Sequence, residues 1–150
     1  MRTAIAVGGS VLALSACGGH TATKQDVIAQ GNAICASELR DIRAVPAPGS
    51  VNSLADLSTY LGQVAPILGK EVKSLEALPR ASRDRPLLER FIAAVVRDGV
   101  QYRALASAAA AGNRAGVESA LNDLRLSPEA TLASAYGLSQ CGTAGGTAVP

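Results

Sequence analysis

The sequence predicts an all-α protein, an antiparallel up-down four-helix bundle. Apolar residues recur every three or four positions through four separate stretches, which is the spacing of one buried helix face. The connections between these stretches are short and carry proline or glycine, so consecutive helices are expected to pack side by side in opposite directions. No stretch alternates polar and apolar residues over a strand's length, and β structure is therefore not expected.

The first two helices have recognisable starts. Thr23 followed by Asp26 has the form of a capping box with Asp in place of Glu, and Ser53 with Asp56 repeats this spacing. Pro66 lies inside the second helix and is expected to kink it rather than break it, because the apolar stripe continues beyond the proline. The predicted buried positions are Ile28, Cys35, Leu39 and Ile42 in the first helix, and Leu54, Leu57, Leu61, Val64, Leu68, Val72 and Leu75 in the second.

Proline, glycine and asparagine bound the third and fourth helices. Asp84 with Pro86 opens the third, and Gly112-Asn113 supplies a stop and then an N-cap. Ser127-Pro128-Glu129 resembles a fresh helix start, so one kinked helix and two short collinear helices both fit the sequence. Gly137 is expected to end the fourth helix. The predicted buried positions are Leu88, Phe91, Val95, Gly99, Tyr102, Ala106 and Ala109 in the third helix, and Val117, Leu121, Leu124, Thr131, Ala135 and Leu138 in the fourth.

The N-terminal segment has the organisation of a bacterial lipoprotein signal peptide. Arg2 gives a positive end, and an apolar run leads to Leu14-Ser15-Ala16-Cys17, which resembles the lipobox, after which a lipoprotein is cut and diacylated on the Cys sulfur. A membrane-spanning helix would need about 20 apolar residues, and a plain cleaved secretory signal is the main alternative. We therefore expect lipid, such as palmitate, on Cys17 and an extracytoplasmic protein anchored to the outer face of the cell membrane.

This assignment divides the chain into four parts: a signal peptide over 1–16, a lipid-anchored flexible tether over 17–22, a bundle domain over 23–141 and a disordered tail over 142–150. Removal of Arg2 from the 14 basic residues leaves 13 against 12 acidic residues. The mature chain is thus nearly neutral, and no nucleic-acid partner is expected.

Cys35 and Cys141 remain once Cys17 is assigned to lipid. An even pair in an oxidising compartment favours a disulfide. An even number of helices also returns the chain to the end at which it began, which brings the two cysteines together. Two buried thiols are the alternative. A zinc site is disfavoured because two cysteines and His20, the single histidine, do not complete a four-ligand shell.

Two short segments carry a resemblance to a known group. Asn32-Ala33-Ile34-Cys35-Ala36 and Tyr136-Gly137-Leu138-Ser139-Gln140-Cys141-Gly142 resemble segments of small actinobacterial lipoproteins. Such proteins are similar in overall plan, with a lipobox, a helical bundle and one cysteine at each end. The resemblance covers most of the mature chain and implies the fold and the location. It carries over no functional residues.

Patterns that would mark catalysis or cofactor binding are missing from the sequence. His20 lies in the expected tether, a poor place for a general base, and there is no Gly-x-Ser-x-Gly elbow, Ser-x-x-Lys motif or Glu-x-x-His pair. We therefore expect no catalytic residues, no cofactor and no metal site. The carboxylates, including Glu38 and Asp41 on the first helix and Glu71 and Glu76 on the second, are interpreted as solvated surface groups.

Three classes of function remain. The favoured one is a non-enzymatic interaction or structural module of the cell envelope that meets another envelope protein. The alternative is a carrier or sensor for a small apolar ligand, held in a core cavity near Gly99 and Ala106 and lined by Leu61, Val64 and Val95. An enzyme, the third class, would bring several titratable groups into one cleft, which the linear sequence gives no reason to expect.

Overall fold

The computed structural model describes residues 22–50, 52–80 and 83–141, which contain five helices. They are α1 (Lys24–Arg43), α2 (Leu54–Glu76), α3 (Arg85–Ala110), α4 (Arg114–Arg125) and α5 (Glu129–Tyr136). Because α4 and α5 together take the place of the fourth helix, the molecule is the predicted antiparallel up-down four-helix bundle. The predicted signal peptide, most of the tether and the tail lie outside the described residues.

The predicted caps set the starts of α1 and α2. The Asp26 backbone N–H donates to Thr23 Oγ1 over 3.2 Å, and Asp26 Oδ2 accepts the Thr23 backbone N–H over 2.8 Å, which completes a capping box. In α2 the Asp56 backbone N–H donates to Ser53 Oγ over 3.2 Å. Each cap satisfies backbone donors that have no partner within the helix.

The two prolines inside the predicted helices have different effects. Pro66 lies within α2, which continues without interruption to Glu76. Pro128 separates α4 from α5, and the first backbone N–H of α5, that of Glu129, donates to Ser127 Oγ over 3.1 Å, so the second helix has its own start. Of the two alternatives for the fourth helix, the structure therefore has two short helices.

This break also changes which residues of α5 are buried. The prediction carried one apolar phase across Pro128 and placed Thr131 and Ala135 in the core, which is wrong because both are exposed. A new helix starts with its own rotation about its axis, so the phase of α4 does not extend into it. The buried residues of α5 are Leu132, Ala133 and Tyr136.

Glycine and asparagine mark the ends of helices as predicted. Gly112 after α3 and Gly137 after α5 have φ values of +68° and +103°, in the region that favours glycine. Asn113 Oδ1 then accepts the Gly116 backbone N–H over 3.0 Å and opens α4. Local backbone chemistry therefore marks both of these boundaries.

Two hydrophobic clusters fill the bundle, one toward each end. The first joins the beginning of α1, the end of α2, the beginning of α3 and α5, and contains Cys35, Phe91 and Tyr136. The second joins the end of α1, the first half of α2, the end of α3 and α4, and contains Leu61 and Tyr102. This arrangement follows from antiparallel neighbours, whose opposite ends lie at the same level.

A disulfide joins Cys35 to Cys141, as predicted. Their Cα atoms are 5.0 Å apart, and the bond spans 106 residues of sequence. Next to it, the Gln140 backbone N–H donates to Asn32 Oδ1 over 2.9 Å and fixes the segment after α5 against α1. Within the described part of the chain, none of the helices is both long enough and apolar enough to cross a membrane.

Candidate functional site: a buried carboxyl layer

Three carboxylates lie inside the bundle. Glu38 of α1, Glu71 of α2 and Asp98 of α3 are only 4%, 8% and 5% exposed. The expectation that the carboxylates are solvated surface groups is therefore wrong for these three. Each occupies a core-facing position, because each stands three residues after one buried apolar residue and four before another, as Glu38 does between Cys35 and Ile42.

These side chains separate the two hydrophobic clusters. A fourth carboxylate, Glu129, joins them from the first turn of α5 and is partly buried. We refer to Glu38, Glu71, Asp98 and Glu129 as the carboxyl layer. Four helices thus contribute one carboxyl group each to the middle of the bundle, where an apolar residue would be the ordinary occupant.

Glu38 and Glu71 form a hydrogen-bonded pair between α1 and α2. Burial raises the pKa of Glu71 to about 9, and the negative charge and hydrogen bond of Glu38 act in the same direction. Burial raises the pKa of Glu38 to about 7, against the lowering effect of its hydrogen bond with Glu71. An ionised carboxylate cannot donate a hydrogen bond, so the proton of the pair lies on Glu71, which donates to Glu38.

The buried carboxylate of Glu38 is stabilised by the proton that Glu71 donates to it. Neither of its carboxylate oxygens has a hydrogen-bond partner among the N–H and hydroxyl groups of the described residues. Buried polar atoms are usually satisfied, since leaving one without a partner costs about 1–3 kcal/mol. When Glu71 ionises, Glu38 therefore becomes a buried anion with nothing to neutralise it.

Asp98 and Glu129 form a second pair, between α3 and α5. Burial raises the pKa of Glu129 to about 8, and its hydrogen bond with Asp98 and the charge of Asp98 add to this effect. The Ser127 hydroxyl donates to Asp98 Oδ2, and Arg97 Nε lies 3.7 Å from Asp98 Oδ1. Because the Arg97 side chain is half-exposed, this ion pair neutralises little of the charge.

Tyr102 lies beside both pairs. Burial raises its pKa, and the nearby charges of Glu129, Glu38 and Asp98 raise it further, so its phenol stays neutral. Among the ion pairs that the structure describes, that of Arg97 is the one that reaches the carboxyl layer. The layer therefore contains more carboxyl groups than cations, and the protons that these groups retain keep its negative charge low.

A cleft of about 250 Å³ between α1 and α2 reaches the Glu38–Glu71 pair. We refer to it as the α1–α2 cleft. Its walls combine apolar, hydroxyl and charged side chains, so it is suited to a ligand with both a charged and an apolar part. The lining residues are Ala33, Ile34, Ser37, Glu38, Asp41, Ile67, Lys70, Glu71 and Ser74.

The predicted apolar cavity involves a different part of the core. Leu61, Val64 and Val95 are buried in that part of the core. A methyl group added at Gly99 would meet Val72 Cγ2 at 3.4 Å, an ordinary contact distance. None of these residues lines the α1–α2 cleft. The carboxyl layer, which the sequence did not predict, therefore lies in a different place from the ligand site expected for a carrier.

The oxygen atoms of the carboxyl layer do not form a metal cage. In the described ranges, no group of three or more His, Cys, Asp or Glu side chains could hold a metal ion. Cys17, the predicted lipidation site, lies outside these ranges, as does His20.

The sequence contains a signal for the burial of three of these carboxylates, although their charge favours a surface position. The spacing of Glu38, Glu71 and Asp98 from the neighbouring apolar residues matches the buried face of each helix. Nothing in the linear sequence gave Glu129 the same role, because its burial depends on the break at Pro128. No family model, curated protein or solved structure matches the chain.

Proposed function

We infer that this protein is an extracytoplasmic lipoprotein, held at the outer face of the cell membrane by lipid on Cys17, and that its bundle acts there as a non-enzymatic binding module of the envelope. The lipobox resemblance of Leu14-Ser15-Ala16-Cys17 supports the anchor. The Cys35–Cys141 disulfide supports an oxidising compartment, because such bonds are rare in the cytosol.

One observation carries the binding role: the α1–α2 cleft ends on a buried carboxyl pair. In a purely structural bundle these positions would be more stable with apolar side chains, since replacing buried ionic groups by apolar ones of similar volume is often neutral or stabilising by about 1–4 kcal/mol. The carboxyl groups reduce stability, and a ligand that neutralises them would give them a role. An envelope protein that presents a matching group is one such partner.

The same pair favours a second candidate function, general acid–base catalysis. Two carboxyl groups that share one proton form the catalytic pair of aspartic proteases, and several titratable groups in one cleft are what an enzyme requires. Binding is the better supported role because Glu38 and Glu71 are both more than nine-tenths buried.

The anchor is tested by growing cells with a radioactive fatty acid. The wild-type chain should take up label, and Cys17→Ala should take up none, because the acylated sulfur is gone. Cys141→Ser is the matched control, since it removes a cysteine but leaves the lipobox intact, and it should be labelled as strongly as the wild type. Undiminished labelling of Cys17→Ala would refute the anchor.

The binding role is tested by photo-crosslinking in the native envelope. A photoreactive residue at Ser74, which lines the α1–α2 cleft, should capture a specific molecule, whereas the same residue at exposed Glu118 on α4 should not. Equal capture at the two positions would contradict a role for the cleft. Turnover of a captured molecule would favour the enzyme instead.

A further inference from the structure

We propose that the α1–α2 cleft binds the ammonium group of a primary amine, which pairs there with the carboxylates of Glu38 and Glu71 in place of their shared proton. This inference rests on the proposed binding role and names the chemical class of the ligand. It concerns neither the lipid anchor nor the identity of the envelope partner, which are tested separately by fatty-acid labelling and photo-crosslinking.

Glu38 has too few hydrogen-bond donors for its two carboxylate oxygens. Its side chain is 4% exposed, lines the cleft, and has no N–H or hydroxyl partner for either carboxylate oxygen in the described structure. Glu71, also in the cleft wall, provides the one available proton. A group with several N–H donors would satisfy both carboxylates at once.

The α1–α2 cleft is lined by more acidic than basic side chains. Three of its nine lining residues are acidic, Glu38, Asp41 and Glu71, against Lys70 alone on the basic side. Glu129 lies behind the cleft in the carboxyl layer, and its charge, when it ionises, raises the pKa of Glu71 further. Lys70 is exposed and forms none of the ion pairs that the structure describes. An acidic lining of this kind favours a cation over an anion.

The walls of the cleft favour an ammonium over a metal ion. A metal ion needs several oxygen ligands within about 2.0–2.6 Å, whereas no suitable group of three ligands exists among the described residues. An ammonium donates three hydrogen bonds at longer distances of about 2.7–2.9 Å. Ile34 and Ile67 offer apolar contact to an alkyl chain, and the Ser37 and Ser74 hydroxyls can accept its remaining N–H.

The walls also favour a primary amine over a quaternary one. Proteins recognise quaternary ammonium groups mainly with aromatic side chains, and none of the nine lining residues is aromatic. A primary ammonium can come from a free alkylamine or from a lysine side chain of a partner protein. Both present the same group on an alkyl chain, so the experiment must distinguish these sources.

Isothermal titration of the full chain in a nonionic detergent, with 1,5-diaminopentane as the probe, tests the proposal. Saturable binding should release protons, measured as a heat that depends on the buffer's ionisation enthalpy, because the amine displaces the proton of the Glu38–Glu71 pair. The affinity should be at least about tenfold higher at pH 8 than at pH 6, since the pair ionises more readily at pH 8 while the amine stays charged at both values.

Three variants locate the binding. Glu71→Gln keeps the side-chain volume and should weaken binding about tenfold or more and remove the proton release. Glu76→Gln is the matched control, because Glu76 is an exposed glutamate of the same helix outside the cleft, and it should bind as the wild type does. Ser74→Lys places a tethered ammonium at the cleft and should block binding while leaving the carboxyl pair in place, so the test does not depend on the folding of Glu71→Gln.

Two further titrations identify the source of the ammonium and exclude a metal. An acetylated, amidated lysine peptide that binds while 1,5-diaminopentane does not would assign the ammonium to a partner protein, and binding of the free amine would assign it to a small ligand. The proposal is overturned if neither probe binds, if Glu71→Gln binds the amine as tightly as the wild type, or if Mn²⁺ or Ca²⁺ binds at these carboxylates and the amines do not.

Discussion

At the scale of the single residue, burial changes the chemistry of Glu71, Glu129 and Glu38. Their pKa values rise from 4.5 to about 9, 8 and 7, so the folded protein retains protons that an unfolded chain would release. Below about pH 4.5 both states are protonated and the folded state has its full stability. As the pH rises toward 9, the unfolded chain ionises first, and the free energy of unfolding falls by up to about 1.4 kcal/mol per pH unit for each retained proton.

We therefore predict that the melting temperature falls between pH 5 and pH 9. Glu71→Gln should flatten this dependence and melt above the wild type at pH 9, because its amide does not ionise. Glu76→Gln, an exposed control, should follow the wild-type curve. Calorimetry over the pH series measures all three, and a wild-type melting temperature that is constant or rises with pH would contradict the account.

At the scale of the element, the caps and stops of the helices were predictable because each depends on a few neighbouring residues. Thr23 with Asp26 and Asn113 with Gly116 act locally, and a sequence pattern contains all of their atoms. The burial of Glu38 was predictable in principle from its phase, but its pairing with Glu71 was not. That pairing depends on how α1 and α2 are rotated about their axes and displaced along them relative to each other, which periodicity does not specify.

Ser127 links α3 to α5 and is predicted to contribute more to stability than an exposed serine does. Its hydroxyl oxygen accepts the Glu129 backbone N–H, and its O–H donates to Asp98. Ser127→Ala should reduce the free energy of unfolding by about 1–3 kcal/mol, because it removes the acceptor of the first backbone N–H of α5 and a donor to a buried carboxylate. Ser119→Ala, an exposed site on α4, should change it by less than about 0.5 kcal/mol in the same denaturant titration. Equal effects would show that Ser127 is only a surface residue.

At the scale of the whole molecule, the Cys35–Cys141 bond closes the bundle across a sequence separation of 106 residues. Such a bond restricts the unfolded chain, and its loss typically costs about 2–5 kcal/mol. Denaturant titration with and without a reductant should show a difference of this size. In a Cys35→Ser, Cys141→Ser double variant the reductant should have no effect. Rapid alkylation of both thiols in the native, unreduced protein would instead show that the bond is not formed.

The topology also explains how a nearly neutral chain gathers several carboxyl groups in its core. Four helices each contribute one carboxyl group at the level where the two hydrophobic clusters meet, so residues far apart in sequence lie together. Burial of these carboxyl groups has a desolvation cost, and the α1–α2 cleft connects the layer to the surface. The proposed binding role depends on this access to the surface. It also depends on the protons that Glu71 and Glu129 keep at neutral pH.

The most direct test is a carbon-13 NMR titration of the side-chain carboxyl groups in the full chain labelled on glutamate. The account predicts signals that titrate far above 4.5, with the highest, near 9, absent from Glu71→Gln and unchanged in Glu76→Gln. In Glu71→Gln the signal of Glu38 should also shift, because its partner has changed. Titration of every glutamate close to pH 4.5 would contradict a buried, proton-sharing carboxyl pair and the binding site that we build on it.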